Sequence, residues 1–165
     1  YKRQNKNIQL AAKQAAELAE ENVYVVESKT APQGLAAVMV FNPNVSPEEN
    51  FANMQEVLGT VSTLEVTHAV RDTHIEGVEI KKDEFMGIRD GKIVVSNLSL
   101  NTVLEELLEK SIDEDKEIVT IYLGEESTDE YTDFLEKLIE DKYPDVEVEL
   151  VESGQPVYPY IIGLE

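Results

Sequence analysis

Apolar positions repeat first with a helical period, then with a period of two, and finally with the two in alternation. Residues 8–21 place Ala11, Ala12, Ala15, Ala16 and Ala19 on one face, a small-residue surface that lets a helix approach its neighbour closely. VYVV at 23–26 reads as a short buried strand, ESKTAPQG as a loop, and GLAAVMVF as a second short helix that stops near Asn42-Pro43. The run Ser46-Pro47-Glu48-Glu49 opens a third helix. Ser46 can cap it, Pro47 suits the first helical position, and Glu49 stands where a capping box places its acid. The stripe of this helix is Phe51, Met54 and Leu58, and Gly59 ends it.

From 61 to 95 the period is two. Leu64, Val66, His68 and Val70 fall on one face, with Glu65 and Thr67 on the other. FMGIRDGKIVV predicts a hairpin, because Asp90-Gly91 tolerates the positive φ angles of its turn. Residues 99–112 return to the helical period and bury Leu100, Val103, Leu104, Leu107 and Leu108. EIVTIYLG is apolar on both faces, the mark of an interior strand. Ser127 and Glu130 have capping-box spacing before a helix whose stripe is Tyr131, Phe134, Leu135, Leu138 and Ile139. Tyr143-Pro144 stops that helix, and VEVELV follows as a strand. A β-α-β unit of this kind predicts parallel strands with a right-handed crossover. The closing SGQPVYPYIIGLE has Pro156 and Pro159 inside an apolar run. Proline cannot donate to a ladder, so YPY is expected at a sheet edge or bulge, with Gly154 marking a turn.

The resulting expectation is an α/β fold of two lobes, a mixed sheet with helices packed on it. Residues 1–60 are read as the remnant of an N-terminal α/β lobe, and residues 61–165 as a C-terminal lobe with the hairpin and the β-α-β unit. The chain of 165 residues is long enough to bury a core. No stretch reaches the ~18 apolar residues of a membrane span, and YKRQNKNIQL lacks the layout of a signal peptide. A chain without cysteine forms no disulfide and no thiolate metal site, so a cytoplasmic protein is expected. The formal charge is −20, and residues 101–150 concentrate it, with 18 acids against four basic residues. Such a surface repels phosphate backbones and anionic membranes, which argues against nucleic acid and membrane insertion. It is most simply a solvated face, and it also suits a basic partner.

Candidate chemistry is sparse. His68, Arg71, Asp72 and His74 cluster, yet a metal site needs three or four ligands and the chain has two histidines. His68 reads as a core histidine and Arg71-Asp72 as a strand-end ion pair. Ser28, Thr30, Gln33 and Gly34 precede a short helix, where hydroxyls and backbone N–H groups can hold an anion or simply cap the helix. No Walker-type loop, GxSxG elbow or GxGxxG occurs, and the sequence presents no catalytic centre and no metal site.

The order of the motifs NKNIQLAAKQAAELA, KTAPQGLAAVMVFNP, HAVRDTHIEGVEIKKDEFMGIRDGKIVVS and GQPVYPYIIGLE resembles the C-terminal region of the fatty acid kinase A-subunit family, also described as dihydroxyacetone kinase-like or DAK2-domain proteins. The similarity runs from about Asn5 to Glu165. It implies a fragment of a larger kinase subunit, with ATP and Mg bound by a kinase domain outside this chain and no cofactor within it. The region also resembles DegV-like fatty-acid-binding proteins, the acyl-carrying partners of such kinases in phospholipid metabolism. Against that pattern TAPQG is a shortened carboxylate-binding turn, SNLSLN replaces a basic stretch, and SGQP lacks a histidine. The resemblance thus implies a non-catalytic domain that docks a DegV-like fatty-acid-binding protein and its own kinase domain. The alternative is a ligand-binding domain holding a fatty acid or small anion near Ser28, Thr30, Gln33, Gly34 and Arg71.

Overall fold

The computed structural model describes residues 2–75 and 77–165, and the chain forms two compact units that divide between Val61 and Ser62. Among the described residues the first unit holds three helices: α1 (Lys2–Leu18), α2 (Ala31–Met39) and α3 (Pro47–Val57). Thr30 caps α2 and Ser46 caps α3, each side chain accepting the N–H three residues on. Buried Asn50 closes the intervening loop by exchanging two 2.8 Å hydrogen bonds with the Asn42 backbone.

The strand expected at 23–26 is absent, so the described part of this unit is helical rather than α/β. A strand exists only where its backbone groups meet another strand. Here the next N–H, that of Glu27, donates instead to the Gln55 side chain of α3 at 2.7 Å, and Tyr24 lies against Phe51.

The second unit is a six-stranded mixed sheet in the order β5-β4-β1-β8-β6-β7, with a small ribbon of β2 and β3. Its strands are β1 (Ser62–His68), β2 (Thr73–Ile75), β3 (Val78–Ile80), β4 (Phe85–Arg89), β5 (Lys92–Asn97), β6 (Ile118–Leu123), β7 (Glu147–Glu152) and β8 (Tyr160–Leu164). The hairpin β4-β5 turns through Asp90 and Gly91, both at positive φ, as their residue types predict. The β-α-β unit is also present, β6 and β7 being the one parallel pair among the described residues.

Helices α4 (Leu100–Glu109) and α5 (Asp129–Lys142) supply the other half of the core. All five apolar positions expected on α4 are buried, and on α5 Leu135 and Ile139 are fully buried. They meet Leu64 and Val66 of β1, Val119 and Ile121 of β6, and Tyr160, Ile162 and Leu164 of β8. Lys142 ties the two helices together through Glu105 at 2.8 Å and Glu109 at 2.5 Å.

Three expectations are corrected here. The YPY segment is no sheet edge: β8 lies in the interior, antiparallel to both β1 and β6, and Tyr160 is fully buried. Both prolines precede the strand, so neither removes a ladder donor. The cap of α5 is Thr128 rather than Ser127, whose hydroxyl donates to the Gly124 carbonyl. His68 is exposed rather than a core residue, its ring 4.2 Å from that of Phe85. The alternation slips after His68 because Ala69 bonds Glu84 and Asp83 through its backbone and turns inward, leaving Val70 exposed.

Candidate functional site

Open α/β sheets place ligands outside the carboxyl ends of their strands. At the end of β6 the chain passes Leu123 and Gly124, then enters α5. The loop 153–159 crosses the same point on its way from β7 to β8. Leu123 accepts the N–H groups of Ser153 and Gly154, at 3.2 and 2.8 Å. Gly124 donates to the Pro159 carbonyl, and Glu125 to that of Gln155. The Gln155 amide reaches back to the carbonyls of Tyr122 and Tyr158. Below this clamp the Tyr160 hydroxyl donates to the Thr128 carbonyl at 3.1 Å and accepts the Thr128 N–H at 3.2 Å.

Gly154 takes φ +60, a turn conformation that glycine adopts without cost. Val157 stands at φ +76, uncommon for a β-branched residue, and its carbonyl accepts the Thr67 hydroxyl at 2.9 Å. The loop that carries the two prolines is therefore fastened to β6 on one side and to β1 on the other.

Outside this clamp runs an open groove of about 530 Å³ between α5 and the end of β7. Glu125, Asp129, Asp133, Glu136 and Glu152 line it, and among the described residues no Lys, Arg or His does. A cavity of one sign focuses its field toward approaching charge. In the sequence these acids read only as part of a solvated face. The signal was nonetheless present, since Asp129, Asp133 and Glu136 fall at i, i+4 and i+7 and so share one side of α5.

The residues singled out from the sequence fall in both units. Ser28, Thr30, Gln33 and Gly34 belong to the first, and Arg71 to the second. Thr30 accepts the Gln33 N–H as the α2 cap. Gln33 accepts the Lys29 N–H at 3.0 Å and donates to the Leu58 carbonyl at 3.1 Å, joining the start of α2 to the end of α3. The Ser28 carbonyl accepts from Gln9 of α1, and its hydroxyl lies 3.5 Å from the place a Gly34 side chain would occupy. Arg71 is exposed, and no ion pair joins it to Asp72 among the described residues. Asp72 instead accepts the Lys82 N–H at 2.6 Å.

Electrostatic perturbation is modest elsewhere. Glu84 accepts the Lys81 N–H and the Ser96 hydroxyl, and these bonds hold its carboxyl below the usual range. Burial, then the nearby Glu165 and Glu149, push the Tyr122 hydroxyl up. No group of three or more acidic or histidine side chains is placed to hold a metal ion among the described residues.

This fold is that of the DegV proteins. A DegV family protein from Corynebacterium glutamicum superposes with a TM-score of 0.68 at 18% identity, over 94% of this chain and 67% of the other. A DegV family protein from Ruminococcus gnavus, solved with vaccenic acid, gives 0.64 at 15%, over 94% and 65%. A fatty acid binding DegV family protein from Streptococcus agalactiae gives 0.55 at 14%, over 97% and 64%.

The chain itself belongs to the FakA-like C-terminal family, that of the fatty acid kinase A-subunits, whose model matches residues 3–165. Protein YloV of Bacillus subtilis is 44% identical over 161 residues, which are 98% of this chain and 29% of that protein. An uncharacterized protein of Staphylococcus epidermidis is 43% identical over the same shares. The chain thus spans less than a third of the length of these relatives, and both resemblances read from its motifs hold.

Proposed function

We propose that this domain is a non-catalytic docking module of a longer fatty acid kinase subunit. It presents an acyl-carrying, DegV-like partner to a kinase domain elsewhere in that subunit, which binds ATP and Mg and performs the phosphorylation. The observation that carries this reading is the groove beside α5, with five carboxylates and no cation in its described lining. Its field repels a fatty-acid carboxylate or an acyl phosphate and draws in a basic protein surface.

The second reading makes this domain the acyl or anion site itself, through Ser28, Thr30, Gln33, Gly34 and Arg71. The fold favours it, because one structural neighbour is described as fatty acid binding. The hydrogen bonds of Thr30 and Gln33 within the first unit weigh against it.

Association kinetics with the acyl-carrying partner, followed against salt, separate the two. Docking through the acidic field predicts an on-rate that falls with salt while the off-rate changes little. Neutralising Glu125, Glu126 and Asp129 together is expected to lower the low-salt on-rate by roughly tenfold and flatten its salt dependence. Stoichiometric fatty-acid binding by this chain, with no partner association, would establish the second reading instead.

A further inference from the structure

Strand β7 ends the sheet, and among the described residues it pairs only with β6. Which of its backbone groups face outward follows from two hydrogen bonds. Glu147 donates to Glu117, and Ser153 donates to Leu123, so both residues point their N–H groups toward β6. Backbone direction alternates along a strand. Glu147, Glu149 and Val151 therefore face β6, while Val148, Leu150 and Glu152 direct N–H and C=O groups away from the sheet.

An open row of this kind is a template for another strand. The side chains along it are unusual for such an edge, because Leu150 and Val151 are 42% and 37% exposed between glutamates. Glu147 and Glu149 project from one face of the strand, and Glu152 from the other, beside the acidic groove. No basic residue lies on β7. A second copy of this chain is a poor occupant, since antiparallel self-pairing centred on the strand sets Glu147 against Glu152. Like charges placed opposite each other destabilise a pair. A strand alternating basic and apolar residues meets the opposite case, with its cations beside the glutamates and its apolar side chains beside Leu150 and Val151.

We propose that the free edge of β7 takes up an extended, basic segment of a partner polypeptide as a further strand of the sheet. The backbone bonds of Val148, Leu150 and Glu152 supply the pairing, and Glu147, Glu149 and Glu152 select for positive charge. The inference rests on the docking reading for the partner's biological role, but the edge and its charge stand apart from it.

The probe is a blocked heptapeptide alternating lysine and valine, added to the 165-residue chain under amide hydrogen exchange. Exchange is expected to slow at Val148, Leu150 and Glu152, and to stay unchanged at Glu149 and Val151, whose N–H groups already face β6. The same peptide N-methylated at alternate positions keeps its charge but loses its donors, so it should give no protection. A glutamate–valine peptide should give none either. Leu150→Pro removes an outward N–H that the sheet does not use, and edge positions of that kind accept proline. This variant should stay folded and lose the peptide.

Protection by the N-methylated peptide equal to that by the parent would show charge attraction alone and overturn the proposal. So would a wild-type chain that ignores the lysine–valine peptide, whose glutamates then serve only to keep the edge from self-association. If that happens while the acyl-carrying partner still docks with salt-dependent kinetics, the edge inference falls and the docking reading stands. Peptide capture without partner association upholds the edge inference and removes the docking reading.

Discussion

A side chain on Gly124 would place its first carbon 2.2 Å from the carbonyl oxygen of Tyr158, far inside contact distance. The same carbon would stand 2.8 Å from the Gln155 carbonyl. Both obstacles are backbone, so neither can swing aside as a side-chain tip would. The close approach lets the Gly124 N–H reach Pro159 at 2.9 Å and lock the proline-bearing loop over the end of β6.

Gly124→Ala is therefore expected to destabilise the second unit by about 1–3 kcal/mol, the usual cost of forcing atoms into a packed site. Urea unfolding measures it. A loss under about 0.5 kcal/mol, typical of surface changes, would show that the loop simply moves away.

Leu135 is fully buried on α5 among β-strand side chains. Truncation to alanine should cost about 2–5 kcal/mol, combining lost transfer energy with a residual cavity. The denaturation midpoint should fall with an unchanged m-value. A change in m would indicate that the unfolded state, rather than the core, was altered.

Glu84 yields a pH dependence with a definite sign. The Lys81 N–H and the Ser96 hydroxyl stabilise its charged form, so its folded pKa lies below the unfolded one. That contribution is fully present above the ordinary carboxylate range and is lost as pH falls through the lowered value. On acidification the Lys81 amide resonance should shift with an apparent pKa below that of a free glutamate. In Glu84→Gln this titration should vanish, and a Lys81 amide that stays put in the wild type would refute the assignment.

Calorimetry with Mg-ATP on this chain is expected to be flat. The sequence holds no phosphate-cradling loop, and a charge of −20 repels a triphosphate. A micromolar dissociation constant would contradict the docking-module reading and move nucleotide binding into this domain.

Much of the local architecture was legible in the sequence. Leu100, Val103, Leu104, Leu107 and Leu108 are spaced for one helical face, and all five are buried. Asp90-Gly91 specified its turn through backbone preference alone. The α5 cap was misread by one residue because Ser127 and Thr128 are both competent oxygen acceptors. Which of them caps depends on where β6 releases the chain, and the Ser127 hydroxyl is already directed to Gly124. The acidic groove was only half legible. Spacing along α5 puts Asp129, Asp133 and Glu136 on one side, but Glu125 and Glu152 join them only through the strand arrangement.

Period, capping chemistry and turn preference are properties of neighbouring residues, and they by themselves determined the helices, the hairpin and the parallel β-α-β unit. Pairing between distant segments is not written in any one segment. Residues 23–26 carry a strand's composition but meet no strand, and their surroundings bond through α3 instead. Tyr160, beside a proline, has an edge strand's context but sits opposite Val66 on one side and Leu123 on the other. Only the folded sheet decided that placement, because a strand's burial is set by the two strands beside it and not by its own side chains.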